Sequence, residues 1–296
     1  MLLSSAVQPP IISLFSSTSS DPLTLFSSTT DQALLADSFI HFLHDRLSCP
    51  LPGSPRVLLH LPTISDATDQ QDSPDHGVEL GQTVLHIQSP TIRTTYIQCP
   101  PIVSPYGDIG IHDGASGLGI RHPWMHLQVR NLGREWSVEV GVVDHVGRTG
   151  TIRLSTFQHL QKKPRLKVDH QKSRSPPLLL LPLSFPSSST RPLTLWSTIN
   201  IHFPSLLPYF SSPALRSHED VDQEEETNED TKSHELASSS HPRTTIQAFI
   251  PSGTYSYVSY VRVYANCRLR RIWFGEGGPS QKAPWEFELY SGDWVV

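Results

Sequence analysis

The sequence predicts an all-β fold, an antiparallel sandwich or barrel with long irregular insertions. Three observations carry this: 26 prolines in 296 residues disfavour long helices, short apolar/polar alternations recur along the chain, and turn signals separate them. Apolar residues at 37% and charged residues at 17% are ordinary globular values. Enough apolar surface is therefore present for a packed core.

The alternations define the elements in order. In "WMHLQVR" (124–130), Met125, Leu127 and Val129 share one face while His126, Gln128 and Arg130 share the other, as a half-buried strand requires. "EWSVEVGVV" (135–143) places Trp136, Val138, Val140 and Val142 together, with "NLGRE" as a hairpin turn before it. "DHVGRTG" then turns into "TIRLSTF" (151–157), so three consecutive antiparallel strands are expected. Further strands are expected in "QTVLHIQ", "TTYIQC", "WSTINIHF" and "TTIQAFI". One helix is expected over 31–48, "DQALLADSFIHFLHDRLS", because Leu35, Phe39, Phe42, Leu43 and Leu47 fall at helical spacing before Cys49-Pro50. Residues 51–78, 159–192 and 211–243 show no clear period, and the last holds "HEDVDQEEETNEDTKSHE", too acidic and apolar-poor to order itself.

A net charge of −5 supplies no global pull toward nucleic acid or anionic membrane, so any polyanion contact must be local. Three cysteines without a CxxC pair, Cys49, Cys99 and Cys267, read as packing thiols in a reducing compartment. The opening "MLLSSAVQPPIISLFSS" has no Lys or Arg before Arg46 and is broken by Pro9-Pro10, unlike a targeting peptide. "LLLLPL" at 178–183 is too short to cross a bilayer. The expectation is a soluble intracellular protein, with no membrane contact.

Chemical motifs are weak. "IHDG" (111–114), "RHPWMH" (121–126) and "DHVG" (144–147) hold histidines without the HExxH or paired Cys/His spacing of a metal site. "GASGLG" (114–119) lacks the Lys-Ser/Thr of a phosphate-binding loop, and no G-x-S-x-G elbow occurs. Neither catalytic residue, cofactor nor metal is assigned. Trp136 and Trp273 fall on expected inward faces, which leaves Trp124 and Trp285 less constrained as stacking groups.

The strongest local feature is "YVRVYANCRLRRIWF" (260–274). Read as one strand, it turns Val261, Val263, Ala265, Cys267 and Leu269 inward and Tyr260, Arg262, Tyr264, Asn266, Arg268 and Arg270 outward. Continuing that register would bury Arg271, so a bulge or break is expected near Arg270-Arg271. Arg262, Tyr264, Arg268, Arg270 and Arg271 are thus the expected partner-binding residues, suited to an acidic protein surface or a nucleic-acid backbone.

"YANCRLRRIWF" resembles the near-terminal segment of the cilia- and flagella-associated protein 20 family. "PIISLFSSTSSDPLTLF" (10–26), "VLHIQSPTIRTTYIQCP" (84–100), "LGIRHPWMHLQVRNLGREWSVEVGVVD" (118–144), "LWSTINIHF" and "APWEFELY" resemble its other blocks, in the same order. Phe26 stands where the family usually has a larger aromatic residue. The resemblance implies a single jelly-roll-like β-sandwich over 10–296, similar to carbohydrate-binding modules. Residues 27–80, 101–116, 159–192 and 211–243 would be insertions longer than the family's connections. It further implies a non-enzymatic component of the ciliary or flagellar axoneme and basal body, touching tubulin, microtubules and neighbouring axonemal proteins. The alternative is a nuclear or cytosolic β-sandwich module binding nucleic acid or an acidic protein partner through the Arg/Tyr strand.

Overall fold

The computed structural model describes residues 7–50, 80–101, 117–157, 163–168, 175–185, 194–215, 250–282 and 284–289. Fourteen strands among them form two sheets that enclose one apolar core. The first sheet runs β12 (Ser197–His202), β7 (Trp124–Asn131), β14 (Cys267–Gly275), β5 (Thr83–Gln88), β3 (Phe39–His44) and β4 (Cys49–Pro50). β1 (Ile11–Ser16) also pairs with β14, end to end with β5 along the same edge. The second sheet runs β10 (Arg165–Lys167), β11 (Leu178–Pro182), β9 (Thr149–Ser155), β8 (Ser137–Asp144), β13 (Tyr255–Tyr264), β6 (Tyr96–Cys99) and β2 (Ser27–Thr29). All pairings are antiparallel except β11 with β9, so the protein is an all-β sandwich.

Alternation places the core as expected: Met125, Leu127 and Val129 of the first sheet face Val138, Val140 and Val263 of the second, each fully buried. Trp136 is fully buried among them. Leu127 and its neighbours meet β14 in register, but β7 and β8 are not neighbours. The connection through Gly133, with φ of 73°, crosses from one sheet to the other, whereas β8 and β9 do form the expected hairpin. Asn131 and Trp136, at the two ends of this link, are both buried.

The expected helix over 31–48 is absent. Its central part is β3, paired with β5 from Phe39 to His44. Ile40 and Phe42 pack on the core, Leu43 belongs to a second apolar cluster on the outer side, and Leu35 and Leu47 are 62% and 66% exposed. A strand covered on both faces is a continuous apolar run, and such a run imitates helical spacing. Strands β10 and β11 likewise lie inside 159–192, where no period is legible. Residues 244–249 of "TTIQAFI", the 216–243 part of the acidic stretch, all of 51–78 and "IHDG" lie outside the described residues.

Candidate functional site

The segment 260–274 is two strands in different sheets. β13 ends at Tyr264, the chain crosses the sandwich at Ala265-Asn266, and β14 begins at Cys267. Asn266 anchors the crossing: its Oδ1 accepts from the Ser89 N–H at 2.9 Å and its Nδ2 donates to the Glu135 carbonyl at 3.1 Å. The inward set Val261, Val263, Ala265, Cys267 and Leu269 is fully buried, as expected. The register shift between Leu269 and Arg271 is the expected bulge, at the point where β14 changes edge partner from β5 to β1. The outward row, however, divides. Arg262 and Tyr264 stand on the outer face of the second sheet, while Arg268, Arg270 and Arg271 stand on the outer face of the first, on the opposite side of the sandwich.

On the first sheet the arginines are interior groups. Arg268 and Arg270 are each 4% exposed. Asp45, fully buried in the turn after β3, binds Arg268 Nη1 at 2.7 Å and Arg130 Nη1 at 3.3 Å. The same carboxylate accepts from the Leu80 N–H and the Trp196 indole, both at 2.8 Å. Arg270 donates to Gln128 and Gln82 and to the Glu286 carbonyl, and burial, reinforced by Arg271, pulls its guanidinium down to about 10. Arg271 lies 4.2 Å over the Phe287 ring, with burial lowering its pKa. Trp273 is buried here, not in the core, against His126 and Phe287, because the bulge reverses the inward register after Arg270.

A histidine pair extends this layer. His41, His86, Arg268 and Arg130 form one register row across β3, β5, β14 and β7. His86 packs on Phe39 and His41, and its pKa falls from 6.5 to about 4, chiefly through burial and then through Arg268 and His41, with Gln88 and Asp45 opposing. The unfolded chain therefore takes up this proton first. The neutral histidine's full contribution is present above pH 6.5 and is lost as pH falls from there to about 4, a change of about 3 kcal/mol. His86→Phe should flatten that part of the stability profile in urea melts between pH 7.5 and 4.5. Parallel profiles for the two proteins would place the acid sensitivity elsewhere.

The outer face of the second sheet carries the docking candidates. One register row crosses all seven strands: Arg165, Leu180, Arg153, Glu139, Arg262, Gln98 and Ser27. Glu139, 3% exposed, accepts from Arg153 Nε at 2.5 Å, Arg262 Nη1 at 3.4 Å and the Tyr264 hydroxyl at 2.9 Å. Arg262 donates to Gln98 at 2.7 Å and lies 4.8 Å from the Tyr96 ring, between Tyr260 and Tyr264. Burial opposes its charge, but Tyr264, Glu139 and Tyr260 outweigh that and hold its pKa raised. Burial and then Glu139 push the Tyr264 hydroxyl up to about 12. Gly141 lets the Tyr260 ring lie across β8, since a Cβ there would collide with that ring. Arg153, Arg165, Lys167 and Arg262 thus stand on the outer face or the rim of this sheet, with Glu139 binding Arg153 and Arg262.

Sequence reasoning missed Asp45, Glu139, Arg153 and Arg165. Glu139 had a legible signal as the charged residue between Val138 and Val140, whereas Asp45 had none within the expected helix. Cys99 and Cys267 are buried packing thiols, with burial pushing each to about 12, whereas Cys49 is exposed at β4. His126 lies on the face opposite Met125 but is covered, 5% exposed and bonded to Asn200. His145 is exposed in a turn, and Trp285 is 70% exposed. Among the described residues no three His, Cys, Asp or Glu side chains converge as a metal site, and no helix is long and apolar enough to cross a membrane.

The described residues thus form an all-β sandwich with a charged outer face on one sheet and a buried ionic layer on the other. Residues 75–173 match the family model of the CFA20 domain, the family that the sequence blocks resemble, over about a third of the chain and from β5 to β10. That match suggests a cilia-associated role, and the CFA20 family is not a known enzyme family. No curated protein matches the chain.

Proposed function

We propose that this protein is a non-enzymatic scaffold of the ciliary axoneme or basal body that docks on doublet microtubules or a neighbouring axonemal protein. The observation that carries the reading is the basic row of the second sheet, Arg165, Arg153 and Arg262 with Lys167 beside it, held on a rigid sheet in a chain that carries the family match. Tubulin is an acidic surface, and cations fixed by strand pairing meet it with little entropy left to lose. Arg262 and Tyr264 form the floor of this face through Glu139, while Arg153, Arg165 and Lys167 form its accessible edge. Tyr260 and Tyr264 are only 8% and 6% exposed, so neither ring offers a face for a nucleic-acid base to stack on.

Arg165→Glu with Lys167→Glu tests this, because both residues lie on the short edge strand β10 and are not fully buried. Co-sedimentation with microtubules should fall at least about tenfold in affinity, the equivalent of about 1.4 kcal/mol, while the melting temperature stays near wild type. Binding of the unmodified chain should also weaken with added salt. Undiminished pelleting of the double variant would move the interface off this face.

A further inference from the structure

The turn between β3 and β4 lies against a guanidinium edge of Arg268 on which one of two donors is unused. Ser48 is exposed, with φ of 51°, and its Oγ accepts from Arg268 Nη2 at 2.8 Å. Arg268 Nε, on the same edge of the guanidinium as Nη2, is buried and has no partner among the described residues. Its other edge is occupied, since Nη1 donates to the Asp45 carbonyl at 2.8 Å and to the Asp45 carboxylate. Arg268 and Arg130 both bind the Asp45 carboxylate, and Arg46, two residues before Ser48, adds an exposed cation.

We propose that Ser48 is a phosphorylation site whose phosphate is received by Arg268. A protein kinase directed to basic sequences would transfer the γ-phosphoryl group of a nucleoside triphosphate to Ser48 Oγ. The bond to the β,γ-bridging oxygen breaks as the Oγ–P bond forms, the hydroxyl proton passes to the kinase's base, and the nucleoside diphosphate leaves. The phosphate brings three acceptor oxygens and a charge between −1.5 and −2, of about the kind that a side-on guanidinium binds through Nε and Nη2 together. Asp45 does not repel it decisively, because its carboxylate is turned onto Arg268, Arg130, the Leu80 N–H and the Trp196 indole. Modification would tie the β3–β4 turn to β14 and so stiffen the outer layer of the first sheet.

The test uses the full chain. Native protein is treated with a basic-directed kinase and ATP and mapped by mass spectrometry, and a second preparation carries phosphoserine incorporated at position 48. Phosphorus NMR should show this phosphate titrating clearly below its ordinary value of about 6, and the melting temperature should rise by about 2–4 °C. Arg268→Lys, which keeps the charge and loses the side-on pair, should return the titration toward the ordinary value. Modification of Ser48 only in denatured chain, or a phosphate titrating near 6 with an unchanged or lowered melting temperature, would overturn the proposal.

Discussion

Arg268→Glu is expected to destabilise the fold by about 3–5 kcal/mol or more, because it breaks a buried ion pair and sets a second carboxylate against Asp45. Arg268 is 4% exposed and Asp45 fully buried, so water cannot take over the lost contacts. Arg130 would remain as the one guanidinium on Asp45, at the longer distance of 3.3 Å. The Asp45 backbone carbonyl and the Ser48 hydroxyl lose the Arg268 donor as well, which leaves the carbonyl only the longer bond from Ser48 Oγ at 3.4 Å. For a chain of this size the melting temperature should drop by roughly 10 °C, and the protein should lose ordered packing around Trp196. A variant that melts like wild type would show that the Asp45 layer contributes nothing net to folding. The contrast with Arg165→Glu/Lys167→Glu matters: one substitution acts on stability, the other on docking.

Val263→Asp should cost more than about 4 kcal/mol, enough to leave little native protein at 37 °C. Val263 is fully buried on β13, paired with Ile97 of β6 and Val138 of β8, in the middle of the sandwich. No cation lies on that inward face, where the alternate residues are Val261 on β13 and Ala265 just past its end. The new carboxyl would either stay neutral at a large energetic cost or draw water into the core. Circular dichroism melts and urea titration read this directly, and an unchanged urea midpoint would contradict the register of β13.

The comparison of Val263 with Arg268 shows how far local pattern reaches. Period-two alternation in 124–130, 135–143 and 260–264 identifies which residues face the core, because a strand's side chains alternate by stereochemistry whatever they pair with. The bulge at Arg270-Arg271 was legible for the same reason: an unbroken register would have buried a charge without its partner. The helix expected over 31–48 failed where apolar residues occupy both faces of β3, since alternation disappears when a second layer covers the outer side.

Sequence by itself therefore determined the all-β class, the inward faces of β7, β8 and β13, the bulge in β14 and the resemblance that the match over 75–173 supports. Only the tertiary structure decided which sheet each strand joins, and hence that Arg262 and Arg268, six residues apart, point from opposite sides of the molecule. It also decided that Arg268 is held by Asp45, more than 200 positions away. The physical reason is that alternation is a property of the backbone over a few residues, whereas pairing across the sandwich depends on which distant segments lie alongside, and no short window of sequence contains both partners.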